Sequence, residues 1–276
     1  MNSRNCRLSD DGEMRIATPS IQRAGDQRDK VKARGRSFMK VLAVDVGGTN
    51  VKALATGQTE RRTFPSGPRM TPRQMVSRVK KLTADWKYDV VSIGYPGVVR
   101  RGHIVSEPHN LGRGWVRFDF KAAFGCPVKI LNDAAMQALG SYEGGELLFL
   151  GLGTGLGSAV VIDGVVVPME LGRLSFKNKT YEDYVGLRGL EKLGRKRWRK
   201  YVAYSVSRLI AALHPDDVVL GGGNAKHLKE LPPGCRTGDN ANAFLGGFRM
   251  WEKADAPAEV VTLAAKKERM ILNSKE

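Results

Sequence analysis

The sequence predicts an α/β protein of two lobes around a cleft. Apolar runs of strand length end three times in a glycine-rich loop: Asp45-Val46-Gly47-Gly48-Thr49-Asn50, Gly151-Leu152-Gly153-Thr154-Gly155-Leu156-Gly157 and Leu220-Gly221-Gly222-Gly223. The order strand–strand–strand–helix–strand begins near Met39, and a related pattern begins near Leu147. A duplicated arrangement of this kind buries two sheets and leaves a groove between them.

Taken in order, residues 1–38 hold nine Lys/Arg and five Asp/Glu with no periodicity, and are expected to be a disordered basic tail. Met14 and Met39 are alternative starts. Val41–Val46, Val51–Thr56 and Glu60–Phe64 read as strands. Thr71–Trp86 reads as an amphipathic helix through Met75, Val79, Leu82 and Trp86, capped by Thr71 with Pro72 at its first position. Val90–Gly94 and Val128–Leu131 are further strands, and Asn132-Asp133 opens a helix to about Tyr142. The second set runs through Leu147–Leu152, Gly157–Ile162 and Val165–Val167, with Asp163-Gly164 as a hairpin turn. A helical stripe spans Trp198–Leu213, and Val218–Leu220 is a short strand. The expected division is a lobe at 39–133, a second at 134–256, and a C-terminal helix within 257–276 that packs back on the first lobe.

Composition narrows the function. The net charge of +17 suits a polyanionic partner or a basic solvated surface. No apolar run reaches the roughly 18 residues of a membrane helix, so no membrane partner and a cytoplasmic location are expected. Cys6, Cys126 and Cys235 lack paired spacing, so no zinc site is expected, and His103, His109, His214 and His227 are not spaced as metal ligands.

The glycine loops point to phosphate. Backbone N–H groups converge on anionic oxygens where no Cβ intervenes, and Thr49 and Thr154 add hydroxyl donors. None of the loops has the P-loop pattern GxxxxGK[ST]. Asp133, at a strand end, is placed to accept a proton from an attacking hydroxyl, although Asn-Asp before a helix is also an ordinary N-cap pattern. Lys192, Arg195, Lys196, Arg197, Arg199 and Lys200 form a basic run that is either a solvated helix face or a track for polyphosphate.

Asp45–Asn50, Asn132-Asp133-Ala134, Leu152–Ser158 and Glu170-Leu171-Gly172 together resemble the ROK sugar kinases, over about residues 40–250. Gly94–Val99, Asp163–Gly172 and Pro215–Gly223 are similar to the polyphosphate glucokinase branch, which lacks the family's cysteine-rich zinc motif. The resemblance implies the actin-like (RNase H-like) ATPase fold; domain closure to exclude water is expected, with a hinge near Asn132–Ala134 and the C-terminal segment. It implies a hexose kinase acting on the 6-hydroxyl of glucose or a related hexose, with ATP or polyphosphate as donor. Asp133 would be the general base, and Asn110, Asn132, Glu170 and Glu182 would bind sugar hydroxyls. Asp45 would hold Mg2+ through water. Gly47, Gly48, Thr49, Asn50, Gly153, Thr154, Gly155 and Gly157 would grip the donor, with Gly221, Gly222 and Gly223 near adenosine. A homodimer is the expected assembly. Where the family has Glu-x-Gly-His with a sugar-contacting His, this chain has Arg173, longer and permanently charged. That departure sustains a second reading, a catalytically silent sugar-binding protein on the same fold. A nucleic-acid-binding module is disfavoured, because no recognition motif accompanies the charge.

Overall fold

The computed structural model describes residues 39–252. The tail expected at 1–38 and the helix expected within 257–276 lie outside the described residues.

The first sheet is built from β1 (Val41–Val46), β2 (Asn50–Ala55), β3 (Arg62–Pro65), β4 (Val90–Tyr95) and, after a small hairpin of β5 (Val99–Arg100) and β6 (His103–Ile104), β7 (Val128–Asn132). Its order is β3-β2-β1-β4-β7. The second sheet uses β8 (Glu146–Leu152), β9 (Leu156–Ile162) and β10 (Val165–Met169); beyond a short hairpin of β11 (Ser175–Phe176) and β12 (Lys179–Thr180), it adds β13 (Asp217–Gly221) and β14 (Cys235–Thr237). Its order is β10-β9-β8-β13-β14. In each sheet the first three strands form an antiparallel meander and the last two join in parallel. The duplication expected from the sequence is therefore a repeat of topology.

β1 and β4 are buried along their whole length, as strands covered on both faces must be, and both are apolar apart from Asp45 and Ser92. α1 (Pro72–Leu82) covers the first sheet with Met75, Val76 and Val79. Thr71 and Gln74 close its N-terminus as a capping box. The helix stops four residues before the expected Trp86, because the Thr83 hydroxyl turns back to donate to Val79 O at 2.9 Å. Trp86 is still buried, under the Arg62 guanidinium 4.2 Å from its ring. α2 (Phe120–Phe124) adds two more aromatics to this core.

One helix lies against both sheets and a second packs on it and on the first sheet. α3 (Asp133–Ser141) follows β7 and touches β4, β8, β9 and β10, while α6 (Asn242–Arg249) rests on α3, β1 and β4. Gly140 and Gly246 form their crossing: a methyl group on either would overlap backbone of the other helix. Among the described residues, α6 is a helix that returns to the first sheet. The buried Ser92 hydroxyl ties it down, donating to Gly247 O at 2.5 Å and accepting from Trp251 Nε1 at 2.9 Å.

On the outer face of the second sheet, α4 (Tyr181–Val185) leads into α5 (Leu187–Leu213). α5 begins eleven residues earlier than its apolar stripe predicts and breaks at Gly194, whose φ of 69° interrupts the helix. The charged residues around that break hide the periodicity of its first turns.

Candidate functional site

Asp133 stands at the first turn of α3, at the C-terminal end of β7. Its neighbour Asn132 is the N-cap: Oδ1 accepts from Ala134 N and Ala135 N, and Nδ2 donates to Gly97 O at 3.0 Å. Most of the Asn132 amide is thereby committed to fixing Asp133, leaving one N–H for a ligand. Crowding by the surrounding protein pushes the Asp133 carboxyl up to about 7, and the negative charge of Asp45 adds to that; Ala134 N, donating to Oδ1 at 2.8 Å, opposes it in part. A carboxyl that takes up and releases a proton near neutrality is suited to general-base work.

Asp45 reaches the same place from β1. It is buried and accepts from Lys52 Nζ at 3.2 Å. The two residues face each other across the β1–β2 register, which brings a cation to the carboxylate. Lys52 was not among the residues singled out from the sequence, but its position opposite Asp45 follows from a hairpin turning at Gly47–Thr49.

The first glycine loop is held in shape by Ser66, whose hydroxyl donates to Gly47 O at 2.6 Å and whose N–H donates to Thr49 O at 2.9 Å. Gly48 lies against Asn110, such that a methyl group there would come within 2.9 Å of Asn110 Cβ. The loop carrying Asn110 is itself shaped by Glu107, which accepts from Trp115 N at 3.1 Å and Val116 N at 3.3 Å. Neither Ser66 nor Glu107 lies in a recognisable motif.

The second glycine loop is the β8–β9 turn. Gly153 O accepts from Leu187 N and from Asn224 Nδ2, and Asn224 N donates to Leu152 O. Asn224 thereby links this loop to the third, where Gly222 takes φ +82° and lies on the Leu152 backbone. Gly155 faces Glu182, and a methyl group on it would stand 2.6 Å from Oε2. Gly157 meets the first turn of α3 at Ala134. The first loop therefore reaches the neighbourhood of Asp133 through Asp45 and the second through Gly157, while the third joins the second through Asn224. Thr49 and Thr154 expose their side chains, and Asn50 is half-buried at the start of β2.

Glu182 is positioned by α4. Asp183 Oδ2 accepts from Thr180 N and Thr180 Oγ1 at its N-terminus. The preceding hairpin is held by aromatics, with Phe176 stacked on Tyr181 and edge-on to Tyr184 and Tyr201. This cluster is scattered in sequence and was not foreseen. Glu170 and Arg173, both exposed, pair through Nε and Oε2 at 3.1 Å. Glu170 and Asn132 line a cavity of about 670 Å3 with Val98, Val99, Arg100, Arg101 and Pro168. A larger cavity, about 1080 Å3, opens between β7, α3 and the β9–β10 turn and shares Arg101 with the first; its lining has no glycine loop or candidate catalytic residue.

The basic run does not form one line. Arg195 and Arg199, one turn apart, face His227 beyond the third glycine loop; there Arg199 Nε donates to His227 O at 2.6 Å, and burial together with Arg195, Lys226 and Arg199 holds the imidazole below its usual range. Arg197 instead points toward Tyr201, which also accepts from Lys177. Lys192 precedes the Gly194 break, and Lys196 and Lys200 are exposed.

Among the described residues no group of three or more His, Cys, Asp or Glu side chains could hold a metal ion by itself. Nor is any helix there long and apolar enough to cross a membrane.

A sequence model of the ROK family matches residues 41–170. The polyphosphate glucokinase of Mycobacterium tuberculosis is 27% identical over 214 residues, 70% of this chain and 80% of the relative. The N-acetylmannosamine kinase of Salmonella paratyphi A is 28% identical over 161 residues, 52% and 55% of the two chains. In structure, the inorganic polyphosphate/ATP-glucomannokinase from Arthrobacter sp. strain KM aligns at a TM-score of 0.66 and 24% identity, covering 76% of this chain and 97% of that one. A ROK family glucokinase from Streptomyces griseus aligns at a TM-score of 0.62 and 16% identity, covering 76% of this chain and 98% of that one; both structures carry the actin-like ATPase fold, and the two repeated sheets described above are its two halves.

Proposed function

We propose that the chain is a sugar kinase of the ROK family, whose model matches residues 41–170, and that it transfers a phosphoryl group from polyphosphate or ATP to the 6-hydroxyl of glucose or a related hexose, as the polyphosphate glucokinase relative suggests. The observation that carries this reading is Asp133: a carboxyl fixed at a helix N-terminus, with its proton affinity raised to about 7 by burial and by Asp45.

In this reading the acceptor lies between Asn110, Asn132, Glu170 and Glu182, and its hydroxyl loses its proton to Asp133. The donor phosphates meet the N–H groups of the first two glycine loops, where the close approaches at Gly48 and Gly155 leave no room for a Cβ. Lys52, opposite Asp45, supplies a cation on the donor side. Gly221–Gly223 would border adenosine when ATP is the donor.

The carboxylate of Asp45, at the end of β1 beside the first glycine loop, is a hard oxygen ligand of the kind Mg2+ takes. Asp45 would hold it, and the ion would neutralise charge on the transferring group.

The test is a coupled assay for sugar 6-phosphate with Mg2+, glucose, mannose and glucosamine as acceptors and ATP or polyphosphate as donor. Turnover that disappears in Asp133→Asn supports the kinase. One observation favours the silent sugar-binding reading, the ion pair that engages Glu170 with Arg173. Saturable sugar binding without turnover under any donor would replace the kinase by that reading.

A further inference from the structure

We propose that the acceptor pocket takes a sugar bearing an anionic group, held by Arg100 and Arg101. This rests on the assignment above of Asn132 and Glu170 to the acceptor.

The cavity that these two residues share extends along Val98–Arg101, and its volume of about 670 Å3 exceeds what a single hexose ring needs. Its charged lining is two arginines and one glutamate. The glutamate is engaged by Arg173 at 3.1 Å. Arg100 and Arg101, among the described residues, make no salt bridge and no side-chain hydrogen bond. The pocket therefore presents two guanidinium groups with their donors unspent. A guanidinium pairs with planar or tetrahedral oxyanions through two parallel N–H donors, so a carboxylate or a phosphate ester fits it.

The backbone gives a second, independent sign. Arg100 pairs with His103 across the β5–β6 hairpin, and the turn between them is Arg101-Gly102, with φ of 50° and 75°. Such a turn favours Asn or Gly at both positions, and an arginine held there with positive φ is strained. The hairpin is firmly placed nonetheless. Val99 and Ile104 are buried, Tyr95 Oη donates to Ser106 O at 2.8 Å, and Asn132 Nδ2 donates to Gly97 O just ahead of it. The same Asn132 caps α3 in front of Asp133, so the arginine turn and the proposed base are held to one another through one side chain. None of the glycine loops lines this cavity, which separates the anion proposed here from the donor phosphates.

The probes are glucose, glucose 1-phosphate and N-acetylmuramic acid; the last two carry a phosphate and a carboxylate away from a free 6-hydroxyl. Binding to the full chain is measured by titration calorimetry, for the wild type, for Arg100→Gln and for Arg101→Asn, the latter chosen because asparagine suits the turn. The expected result is binding of one or both anionic sugars at least tenfold tighter than glucose, with that ratio falling toward one in each variant. Preference for the phosphate alone or the carboxylate alone identifies which oxyanion is taken. Equal or weaker binding of both anionic sugars, or a preference that survives both substitutions, overturns the proposal. Turnover of neutral hexoses alongside such a result leaves the kinase standing, whereas arginine-dependent anion binding with no phosphorylation of any acceptor removes the kinase and keeps this pocket.

Discussion

Arg173 donates from Nε to Glu170 Oε2 at 3.1 Å, so the residue that departs from the family pattern is paired with one of the acidic residues expected to meet the sugar. Both side chains are more than half exposed, at 64% and 55%, and such a pair contributes less than about 1 kcal/mol to stability. Its effect falls on the ligand instead. Replacing Arg173 by His frees the Glu170 carboxylate to accept from a sugar hydroxyl, an interaction of about 1.5–3 kcal/mol. Arg173→His is expected to raise kcat/KM for glucose about tenfold and to leave the melting temperature nearly unchanged. Steady-state kinetics and a thermal melt on the same preparation check both halves.

Asp133 links catalysis to pH. Its folded value of about 7 lies above the ordinary carboxyl range, so the folded protein holds this proton to a higher pH than the unfolded chain does. The associated stability is fully present below about pH 4 and is lost as pH rises through about 7. Asp133→Asn, which cannot ionise, is expected to be more stable than wild type by about 1–3 kcal/mol at pH 8, with the difference vanishing near pH 4. The same substitution is expected to lower kcat by about 10²–10⁴-fold. Denaturant melts at the two pH values and a rate measurement at pH 8 test these outcomes; a variant less stable than wild type at pH 8 contradicts the crowded carboxyl beside Asp45.

The glycines separate into two kinds. At Gly140 and Gly246 an added methyl runs into backbone of the opposing helix, with nothing flexible to move aside. Alanine at either is expected to cost about 3 kcal/mol or more in urea unfolding. A methyl on Gly153 meets nothing within 4 Å. Gly153→Ala is expected to keep wild-type stability within about 0.5 kcal/mol and to raise the KM for the phosphoryl donor, since the open space is where phosphate oxygens would lie.

The two faces of the basic helix make different predictions. Arg195 stands with Lys226 around His227, past the third glycine loop, whereas Arg197 belongs to the cluster at Tyr201. If polyphosphate leaves the catalytic cleft along the first face, Arg195→Gln with Lys226→Gln lowers kcat/KM with polyphosphate about tenfold and with ATP much less, and Arg197→Gln leaves both alone. Rates with each donor at low and high salt distinguish this from a general loss of charge, since a polyanion track is strongly salt-dependent. Equal loss with both donors removes the track.

The sequence by itself determined the strands that end in glycine loops, the hairpin at Asp163-Gly164 and the placement of Asp133 behind an N-cap. Each is set by residues within a few positions of one another: a buried apolar run, a φ that suits only certain residues, or a side chain capping its own helix. The family pattern was legible for the same reason, because its motifs are short and contiguous. Only the tertiary structure placed Asn224 between two loops, Glu107 under the loop of Asn110 and the aromatic cluster around Tyr181, next to Glu182. It also laid the helix Asn242–Arg249 on the first sheet and divided one basic run between two faces. These relationships join residues up to some 150 positions apart, as Ser92 and Gly247 are. The chain order that brings such residues together comes from the packing of two sheets against α3 and α6, and no local pattern encodes it.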